Sequence, residues 1–292
     1  MKDQAYVLRR LVKNRDRGSK TRIIAITSGK GGVGKTNLSV NLGLALINLG
    51  QKVALLDADL GLANVDMLLG IFPEYTLTNV LKGEKNLNQI LQTGPLGLQV
   101  MPGGSGVFEL ANLNQFTLER LIHSLENLDG QFDYVLIDTS PGLGSAVINF
   151  ILAADQVLVV TTTEPTSITD AYGQIKTILQ RNPDCNIHLI VNQASSPAQA
   201  QSVWERLNTV VQRFLRGNVQ FGGYILADHR VKQAVSQQKP FIVAYPNSSA
   251  SRCVNQIAKG IVDTQFEIAK DENESGLKGL FNRLFQLSTT KR

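Results

Sequence analysis

Cysteine is scarce in this 292-residue sequence, in which Cys185 and Cys253 stand far apart. Without a Cys-x-x-Cys spacing they predict neither a disulfide framework nor an iron–sulfur or zinc site, which disfavours an electron-transferring or cluster-carrying protein. The sequence also lacks a secretory apolar segment at its start and any apolar run of about 18 residues. We therefore expect a cytoplasmic protein with at most a peripheral membrane contact.

Aromatic residues (6%) and charged residues (18%) are few, whereas hydrophobic residues make up 43% of the chain. This composition is typical of a globular protein with one large α/β domain, or at most two small ones. The formal net charge of +5 is mild. Much of the basic excess lies near the two ends, at Arg9, Arg10, Lys13, Arg15, Arg17, Lys20, Arg22, Lys278, Arg283, Lys291 and Arg292. We expect these ends to make anionic contacts and the body to have no specific nucleic-acid partner.

Apolar strand-like runs alternate with helix-like runs through the body of the chain. Runs such as Tyr134 to Ile137 are continuously apolar, which predicts strands buried on both faces of a mostly parallel sheet with helices on both sides. The predicted strands are Ile23–Thr27, Val53–Asp57, Leu98–Met101, Tyr134–Asp138, Gln156–Thr161, Ile187–Val191 and Gln220–Ile225. The predicted helices are Thr36–Leu49, Phe116–Leu128, Ser145–Ala153, Ser167–Gln180, Ala198–Phe214 and Ser249–Lys270, with short ones near Leu77–Leu81 and Leu87–Leu91.

A glycine-rich segment between the first strand and the first helix matches the Gly-x-x-x-x-Gly-Lys-Thr phosphate-binding loop. Its backbone N–H groups and the helix N-terminus favour phosphate oxygens. We expect Lys35 to neutralise the β- and γ-phosphates and the Thr36 hydroxyl to join a Mg²⁺ shell. The predicted nucleotide contacts here are Gly29, Lys30, Gly31, Gly32, Val33, Gly34, Lys35, Thr36 and Asn37. The alternative is a glycine-rich turn without a ligand.

Two carboxylates, Asp57 and Asp59, follow the second strand, where burial is costly unless a cation or water satisfies them. We assign Asp59 to the attacking water and the hydration shell of the metal, and Asn64 to orienting that water or the γ-phosphate. If one of the two acids merely caps the next helix, Asp57 is the better candidate.

Polar residues also end two later strands. Asp138 is predicted to bind Mg²⁺ through water, and Gly142 or Gly144 gives the following segment the freedom to sense the γ-phosphate. A solvated strand-end aspartate is the alternative. The Asn192 amide both donates and accepts, which suits the adenine edge, although a local turn role stays open.

Lys30 stands at the second position of the loop, where an ordinary phosphate-binding loop needs no charge. Two close ammonium groups repel unless a polyphosphate lies between them. In this respect the loop resembles the deviant Walker A motif of the MinD/ParA ATPases. In that family the matching lysine reaches the nucleotide of a second subunit; the alternative is a lysine pointing into solvent.

The resemblance to MinD-like P-loop ATPases extends over residues 22–270. Within them, Leu55–Asp66 and Glu164–Tyr172 are similar to the flagellar-number branch called FlhG or FleN. The resemblance implies ATP and Mg²⁺ as cofactors, slow ATP hydrolysis that needs Asp59, and an ATP-dependent homodimer. It also implies an adenine-side loop at Ile225–Asp228, with Asp228 near the base, although relatives often carry proline where Leu226 stands.

Both ends of the chain suggest partners. Residues 1–20 form a basic arm in which Asp3–Arg9 resembles the branch's element for an FlhF-like GTPase. Residues 21–270 are the predicted ATPase domain. In residues 271–292 an acidic spacer precedes an apolar stripe, Leu277–Leu287, typical of a helix at an anionic membrane interface. The alternative is a terminal helix packed on the core of its own domain or in its nucleotide-free dimer groove.

The implied role is an ATP-driven monomer–dimer switch that limits flagellar number and placement from the inner face of the cell membrane, at the pole. Flagellar C-ring components or a flagellar transcription activator are the further implied partners. A MinD-type cell-division regulator is a close alternative, although it normally lacks the Asp3–Arg9 arm. A ParA-type DNA-partitioning ATPase is another alternative and should have a basic body surface. A further alternative is a regulatory binding protein that uses ATP only to set its conformation.

Overall fold

The computed structural model describes residues 21–59, 64–104, 130–263 and 276–289. Within these ranges the strands form one sheet in the order β3-β4-β2-β5-β1-β6-β7-β8. The strand pairs are parallel except β3 with β4, which confirms the predicted mostly parallel sheet. The strands are Arg22–Thr27 (β1), Val53–Ala58 (β2), Gln92–Thr93 (β3), Gln99–Pro102 (β4), Tyr134–Thr139 (β5), Gln156–Thr161 (β6), Ile187–Ala194 (β7) and Gln220–Leu226 (β8).

Helices cover both faces of this sheet. Within the described ranges they are Lys35–Asn48 (α1), Asn64–Leu69 (α2), Leu77–Lys82 (α3), Leu87–Ile90 (α4), Ser145–Ala153 (α5), Pro165–Arg181 (α6), Pro197–Leu215 (α7), His229–Ser236 (α8), Phe241–Ala244 (α9), Ser249–Asp263 (α10) and Gly276–Thr289 (α11). The long helices confirm the predicted ones. The predicted helix Phe116–Leu128, the basic arm and the acidic spacer lie outside the described residues.

The core consists of two layers separated by the sheet, as the continuously apolar strands predict. Along β5, Val135 and Ile137 face one layer, and Leu136 faces the other. The first layer contains buried residues of α5, α6, α7 and α11, and the second those of α1 and α10. Burial on both faces explains why the strands show no alternation of polar and apolar residues.

Three strands bring their carboxyl ends to one edge of the sheet. Strand β5 lies between β2 and β1, and its Asp138 pairs in register with Asp57 on one side and with Ile26 on the other. Strand β1 ends one residue before Ser28, which leads into the glycine-rich loop. The order of strands therefore gathers the predicted phosphate and metal residues at this edge.

The C-terminal helix α11 packs against α5 and β1. Its Leu277, Leu280 and Leu284 are buried in the first core layer. The Arg283 guanidinium donates from Nε to the Ala153 carbonyl oxygen (2.7 Å) and pairs with Asp155 (3.3 Å). In this structure the helix has the alternative placement foreseen for it, on the domain itself. Among the described helices, none is long and apolar enough to cross a membrane.

Candidate functional site

The glycine-rich loop is held between α1 and α6. Gly34 precedes α1 with φ +91°, a backbone conformation that L side chains rarely adopt. Gly29 approaches α6 so closely that a Cβ atom there would collide with the Asp170 carbonyl oxygen. The sequence therefore places glycine where the loop turns and where it touches a neighbouring helix, and the loop ends at the N-terminus of α1, as the motif predicts.

Lys35 and Asp138 form a buried pair at the base of the loop. The Lys35 Nζ atom lies 3.2 Å from Asp138 Oδ1, and their side chains are 7% and 0% exposed. The Ser39 hydroxyl donates to the same carboxylate oxygen at 2.9 Å. Burial raises the pKa of Asp138, whereas Lys35 and the hydroxyls of Thr36 and Ser39 lower it. The pair connects the predicted phosphate ligand directly to the predicted metal residue.

The surroundings of Asp138 fit a hydrated Mg²⁺ ion. Its Oδ2 atom is buried, and no described residue donates a hydrogen bond to it. Thr36, the second residue of α1, brings a hydroxyl to this carboxylate. Within residues 21–59, 64–104, 130–263 and 276–289, no three His, Cys, Asp or Glu side chains form a metal-binding group. Beside nucleotide phosphates, Mg²⁺ is held by one or two protein oxygens, such as those of Asp138 and Thr36, and by water and phosphate oxygens.

Asp57 has a different environment from the one expected of a helix cap. It lies within β2, only 4% exposed, and its Oδ1 accepts a hydrogen bond from the Asp59 N–H (3.1 Å). Burial raises the pKa of Asp57 to about 7, and the negative charges of Asp138, Asp66 and Asp59 act in the same direction. The alternative in which Asp57 merely caps the next helix does not fit this buried position within the strand. The register opposite Asp138, which the sequence does not reveal, places it inside the sheet.

Asp59 connects the segments that follow β2 and β5. The Ser140 hydroxyl donates to Asp59 Oδ1 at 2.8 Å. Asp59 is partly exposed and follows β2, at the same edge of the sheet as Asp138, the other acid predicted beside the metal. Asn64 begins α2, but its side chain and residues 60–63 lie outside the described part of the chain. The catalytic roles of Asp59 and Asn64 stay predictions.

Lys30 binds its own chain. Its Nζ atom lies 3.2 Å from Glu164 Oε2 and 3.2 Å from Thr166 Oγ1, and its side chain is 42% exposed. Glu164 immediately precedes α6, whose first turn contains Thr166. Sequence reasoning missed this contact. The available signal was the polar run Glu164–Tyr172 after β6, since β6 lies beside β1 in the sheet.

The two predicted adenine contacts have partners within the chain. Asn192 Nδ2 donates to the Val33 carbonyl oxygen in the glycine-rich loop (2.7 Å), and its Oδ1 accepts from the neighbouring Gln193 N–H (2.8 Å). Asp228 caps α8 by accepting from the Arg230 N–H (3.0 Å). Burial alone raises the pKa of Asp228, but backbone N–H donors, those of Arg230 and Ala250 first, lower it overall. Adenine recognition by either residue stays a prediction.

Comparisons with known proteins agree with this geometry. A family model described as an AAA domain matches residues 21–191. The antiactivator FleN of Pseudomonas aeruginosa is 41% identical over 82% of this chain and 85% of that protein. The flagellum site-determining protein YlxH of Helicobacter pylori is 36% identical over 93% of this chain and 92% of that protein. The septum site-determining protein MinD of Pyrococcus horikoshii, solved with Mg-ADP, superimposes with a TM-score of 0.65 at 25% identity, covering 83% of this chain and 96% of that one.

Proposed function

Because the chain belongs to the MinD/ParA family of P-loop ATPases, in the branch that contains FleN and YlxH, we propose that it is an ATP-dependent monomer–dimer switch that limits the number and placement of flagella. The family hydrolyses ATP. Mg²⁺ dependence and slow turnover belong to the proposal, and the Mg-ADP complex of the P. horikoshii relative supports the choice of cofactor.

The observation that carries the proposal is the different placement of the two loop lysines. Lys35 is buried beside Asp138, whereas Lys30 is held by Glu164 and Thr166 at the surface. One ammonium group therefore serves the nucleotide of its own chain, and the other is presented outwards. Charges of this kind approach closely only with a polyphosphate between them, so ATP bound on the loop favours the approach of a second subunit with its own Lys30.

The residues of the site divide the chemistry among them. The loop N–H groups and Lys35 bind the phosphates, and Asn37 and Asn192 stand next to them as proposed nucleotide contacts. Thr36 and Asp138 would hold Mg²⁺, which would supply positive charge beside the phosphates. Asp59, oriented by Ser140, positions the water that attacks the γ-phosphate, and Asn64 assists it.

The C-terminal helix is the proposed membrane contact. Its apolar stripe is covered by α5 and β1, so membrane binding requires its release. One short amphipathic helix binds a membrane weakly, but two helices carried on one dimer bind more tightly through effective concentration. ATP-driven dimerisation thus favours the bound state at the inner face of the cell membrane, and hydrolysis reverses it.

Light scattering tests the switch. Wild-type protein with Mg²⁺ and a nonhydrolysable ATP analogue is expected to double its mass, whereas with ADP it stays monomeric. Lys30→Ala and Lys35→Ala are expected to stay monomeric with the analogue. Lys259→Ala, which removes an exposed lysine of α10, is the matched control and is expected to dimerise. An unchanged wild-type mass with the analogue overturns the proposal.

The proposed partners are inferred from the names of the relatives and from the sequences at the two ends of the chain. The name antiactivator supports a flagellar transcription activator as partner, and the name of the H. pylori relative supports a role in flagellum placement. We propose further that Asp3–Arg9 engages an FlhF-like GTPase and that C-ring components bind the ATP form. A pull-down with and without residues 1–20 tests the arm. Binding of the ATP form to anionic vesicles, and not to nonspecific DNA, separates this role from DNA partitioning.

A further inference from the structure

Strand β8 forms one edge of the sheet, and within the described part of the chain its only strand partner is β7. The inner strands β2, β5 and β6 are buried at every residue, whereas β8 is exposed or half-buried at every residue except Ile225. Apart from the ladder to β7, residues 220–226 make no backbone–backbone hydrogen bond to any described segment. An edge strand of this kind presents a row of unpaired N–H and C=O groups.

The two edges of the sheet differ in the features that protect an edge from further pairing. Natural edge strands are often very short, or they carry charged residues or proline. The edge strand on the opposite side, β3, has only two residues. Strand β8 has seven residues, and its sequence contains no charged residue and no proline. Of these two edges, the one at β8 is therefore suited to accept a further strand.

A bulge adds bare backbone to this edge. The pairing with β7 shifts register between Leu189 and Ile190, which leaves Gly222 as an extra residue in β8. A Cβ atom at Gly222 would lie 2.8 Å from Ile190 Cδ1. A Cβ atom at Gly223 would lie 2.9 Å from Ile257 Cγ1, so internal packing requires both glycines. The consequence for the edge is two successive residues without side chains, at which another backbone can approach closely.

On one face of the sheet, a basic row of α10 runs beside β8. Arg252, Gln256 and Lys259 are spaced four and three residues apart, so they share one side of the helix. Gln256 lines a cleft together with Tyr224 of β8, which places the row on the β8 side of α10. Arg252 and Lys259 are exposed, and neither forms an ion pair with a described residue. The row ends at Asp263, so two positive charges stand against one negative charge, and acidic residues are attracted to this side.

On the other face of the sheet, the surface beside β8 is aromatic. The Phe221 ring packs against the first core layer, with its centroid 5.7 Å from that of Trp204 of α7. Trp204 Nε1 donates to the Val219 carbonyl oxygen, just before β8 (2.8 Å). Both rings are partly exposed, so apolar side chains gain contact here. Because successive side chains of a strand point to opposite faces, a strand added to β8 meets basic residues on one face and aromatic rings on the other.

We propose that the β8 edge binds an extended segment of a partner protein in which acidic and apolar residues alternate. The segment pairs its backbone with β8, directs its acidic side chains towards Arg252 and Lys259, and places its apolar side chains beside Trp204 and Phe221. In the sheet, β6 and β7 separate β8 from β1 and its glycine-rich loop. The interaction therefore does not use the nucleotide site and goes beyond the proposed function.

A second copy of this chain fits the edge less well than an acidic segment. If a twofold axis related two β8 strands, each α10 would lie beside the α10 of the other copy. Arg252 and Lys259 would then meet the same two residues of the copy, and like charges at close range repel.

Three capped hexapeptides test the backbone pairing with the full chain. One alternates glutamate and valine, and the other two add N-methyl groups either to all glutamate nitrogens or to all valine nitrogens. Successive N–H groups of a strand point to opposite sides, so only one methylated peptide can still pair with β8. Fluorescence anisotropy measures the affinity, and amide NMR locates the contact at residues 221–225. The plain peptide is expected to bind saturably, and one methylated peptide is expected to bind about tenfold more weakly than the other.

Charge reversal tests the contribution of α10. The double variant Arg252→Glu/Lys259→Glu is expected to bind the glutamate–valine peptide about tenfold more weakly and to prefer a lysine–valine peptide. The matched control Lys52→Glu/Lys82→Glu reverses two exposed lysines outside α10 and β8 and is expected to bind as wild type does.

Three outcomes overturn the proposal: no saturable binding of the plain peptide, equal affinities of the two methylated peptides, or unchanged peptide preference in the Arg252→Glu/Lys259→Glu variant. Light scattering without nucleotide examines the second copy. A mass that rises with protein concentration and falls when the plain peptide is added places a second copy on the edge, which also overturns the proposal. ATP-dependent dimerisation of the same samples reports separately on the proposed function.

Discussion

The Lys35 ammonium group lies 3.2 Å from the Asp138 carboxylate, and both side chains are almost completely buried. Each charge therefore offsets the desolvation of the other, and the Ser39 hydroxyl adds a hydrogen bond to the same carboxylate. The loop lysine thus stabilises the folded domain in addition to its proposed role in phosphate binding.

Lys35→Ala is expected to lower the free energy of unfolding by about 3–5 kcal/mol, because it leaves Asp138 buried without its cation. Urea denaturation without nucleotide measures this. Asp138→Asn in the Lys35→Ala background is expected to recover much of the loss, since the uncompensated charge is gone. A Lys35→Ala variant within about 0.5 kcal/mol of wild type contradicts the structural role.

Lys30→Ala is expected to behave differently, because the pair of Lys30 with Glu164 is exposed on both sides. Exposed pairs contribute at most about 1 kcal/mol, so its unfolding midpoint in urea should stay near that of wild type. Glu164→Gln is the companion variant: it breaks the same pair and keeps the lysine. If either variant unfolds as easily as Lys35→Ala, Lys30 is bound to Glu164 too firmly to leave it for the nucleotide of a second subunit.

Asp57 is expected to make stability depend on pH. Its pKa is about 7 in the folded chain against an ordinary value of 3.8, so between these values the folded state holds a proton that the unfolded state has lost. The contribution of Asp57 to the free energy of unfolding is therefore largest below pH 3.8 and is lost as the pH rises towards 7. Asp57→Asn should therefore stabilise the chain by a few kcal/mol at pH 8 and by much less at pH 5. Unfolding in guanidinium chloride at both pH values measures this difference. An equal increase in the free energy of unfolding at pH 5 and pH 8 contradicts the raised pKa.

Gly29→Ala is expected to destabilise the domain or displace the loop, because the added Cβ collides with the Asp170 carbonyl oxygen of α6. Gly31→Ala is the matched control in the same loop. Its Cβ would lie 3.8 Å from Pro141 Cγ, an ordinary contact distance. Gly29→Ala should have a clearly lower thermal unfolding midpoint than Gly31→Ala. Similar midpoints would show that α6 shifts to accommodate the added Cβ atom without a loss of stability.

Asp155→Asn is expected to increase binding to anionic vesicles without ATP. The substitution weakens the contact with Arg283 that holds the C-terminal helix and leaves the apolar stripe intact. The new amide oxygen can still accept the Ile23 N–H, which Asp155 Oδ2 now accepts at 2.8 Å. Vesicle sedimentation is the measurement, with Asp184→Asn as an exposed control. Unchanged sedimentation contradicts the idea that this contact restrains the helix.

The sequence predicts the sheet and the loop well because their signals are local. Strands such as β6 are uninterrupted apolar runs, and the glycine–lysine spacing fixes where β1 ends and α1 begins. Strand β3 was missed because two residues, Gln92 and Thr93, show no period, and its partner Gln99 lies across a turn. The short helices α8 and α9 were missed for the same reason: each depends on its cap and on tertiary packing more than on a repeated pattern.

The details of the site depend on contacts between distant parts of the chain. Nothing near Asp57 reveals that it pairs with Asp138, and nothing near Lys30 reveals that Glu164 reaches it. Likewise, an amphipathic stripe such as that of α11 shows that one face needs cover but leaves the cover unspecified. The pairing of Asp57, the partner of Lys30 and the cover of α11 all depend on strand order and register. Strand order and register are known only once the complete fold is known.

Helix α6 touches the first strand and its loop at three successive points. Gln174 donates to Thr27 Oγ1 (2.7 Å), the Asp170 carbonyl oxygen abuts Gly29, and Thr166 accepts from Lys30. These helix residues are spaced four apart and so share one side of the cylinder. Deleting a single residue after Asp170 would turn Gln174 away by about 100°. The rotational phase of this helix is therefore a constraint separate from its composition, and insertions or deletions there should be far more damaging than substitutions.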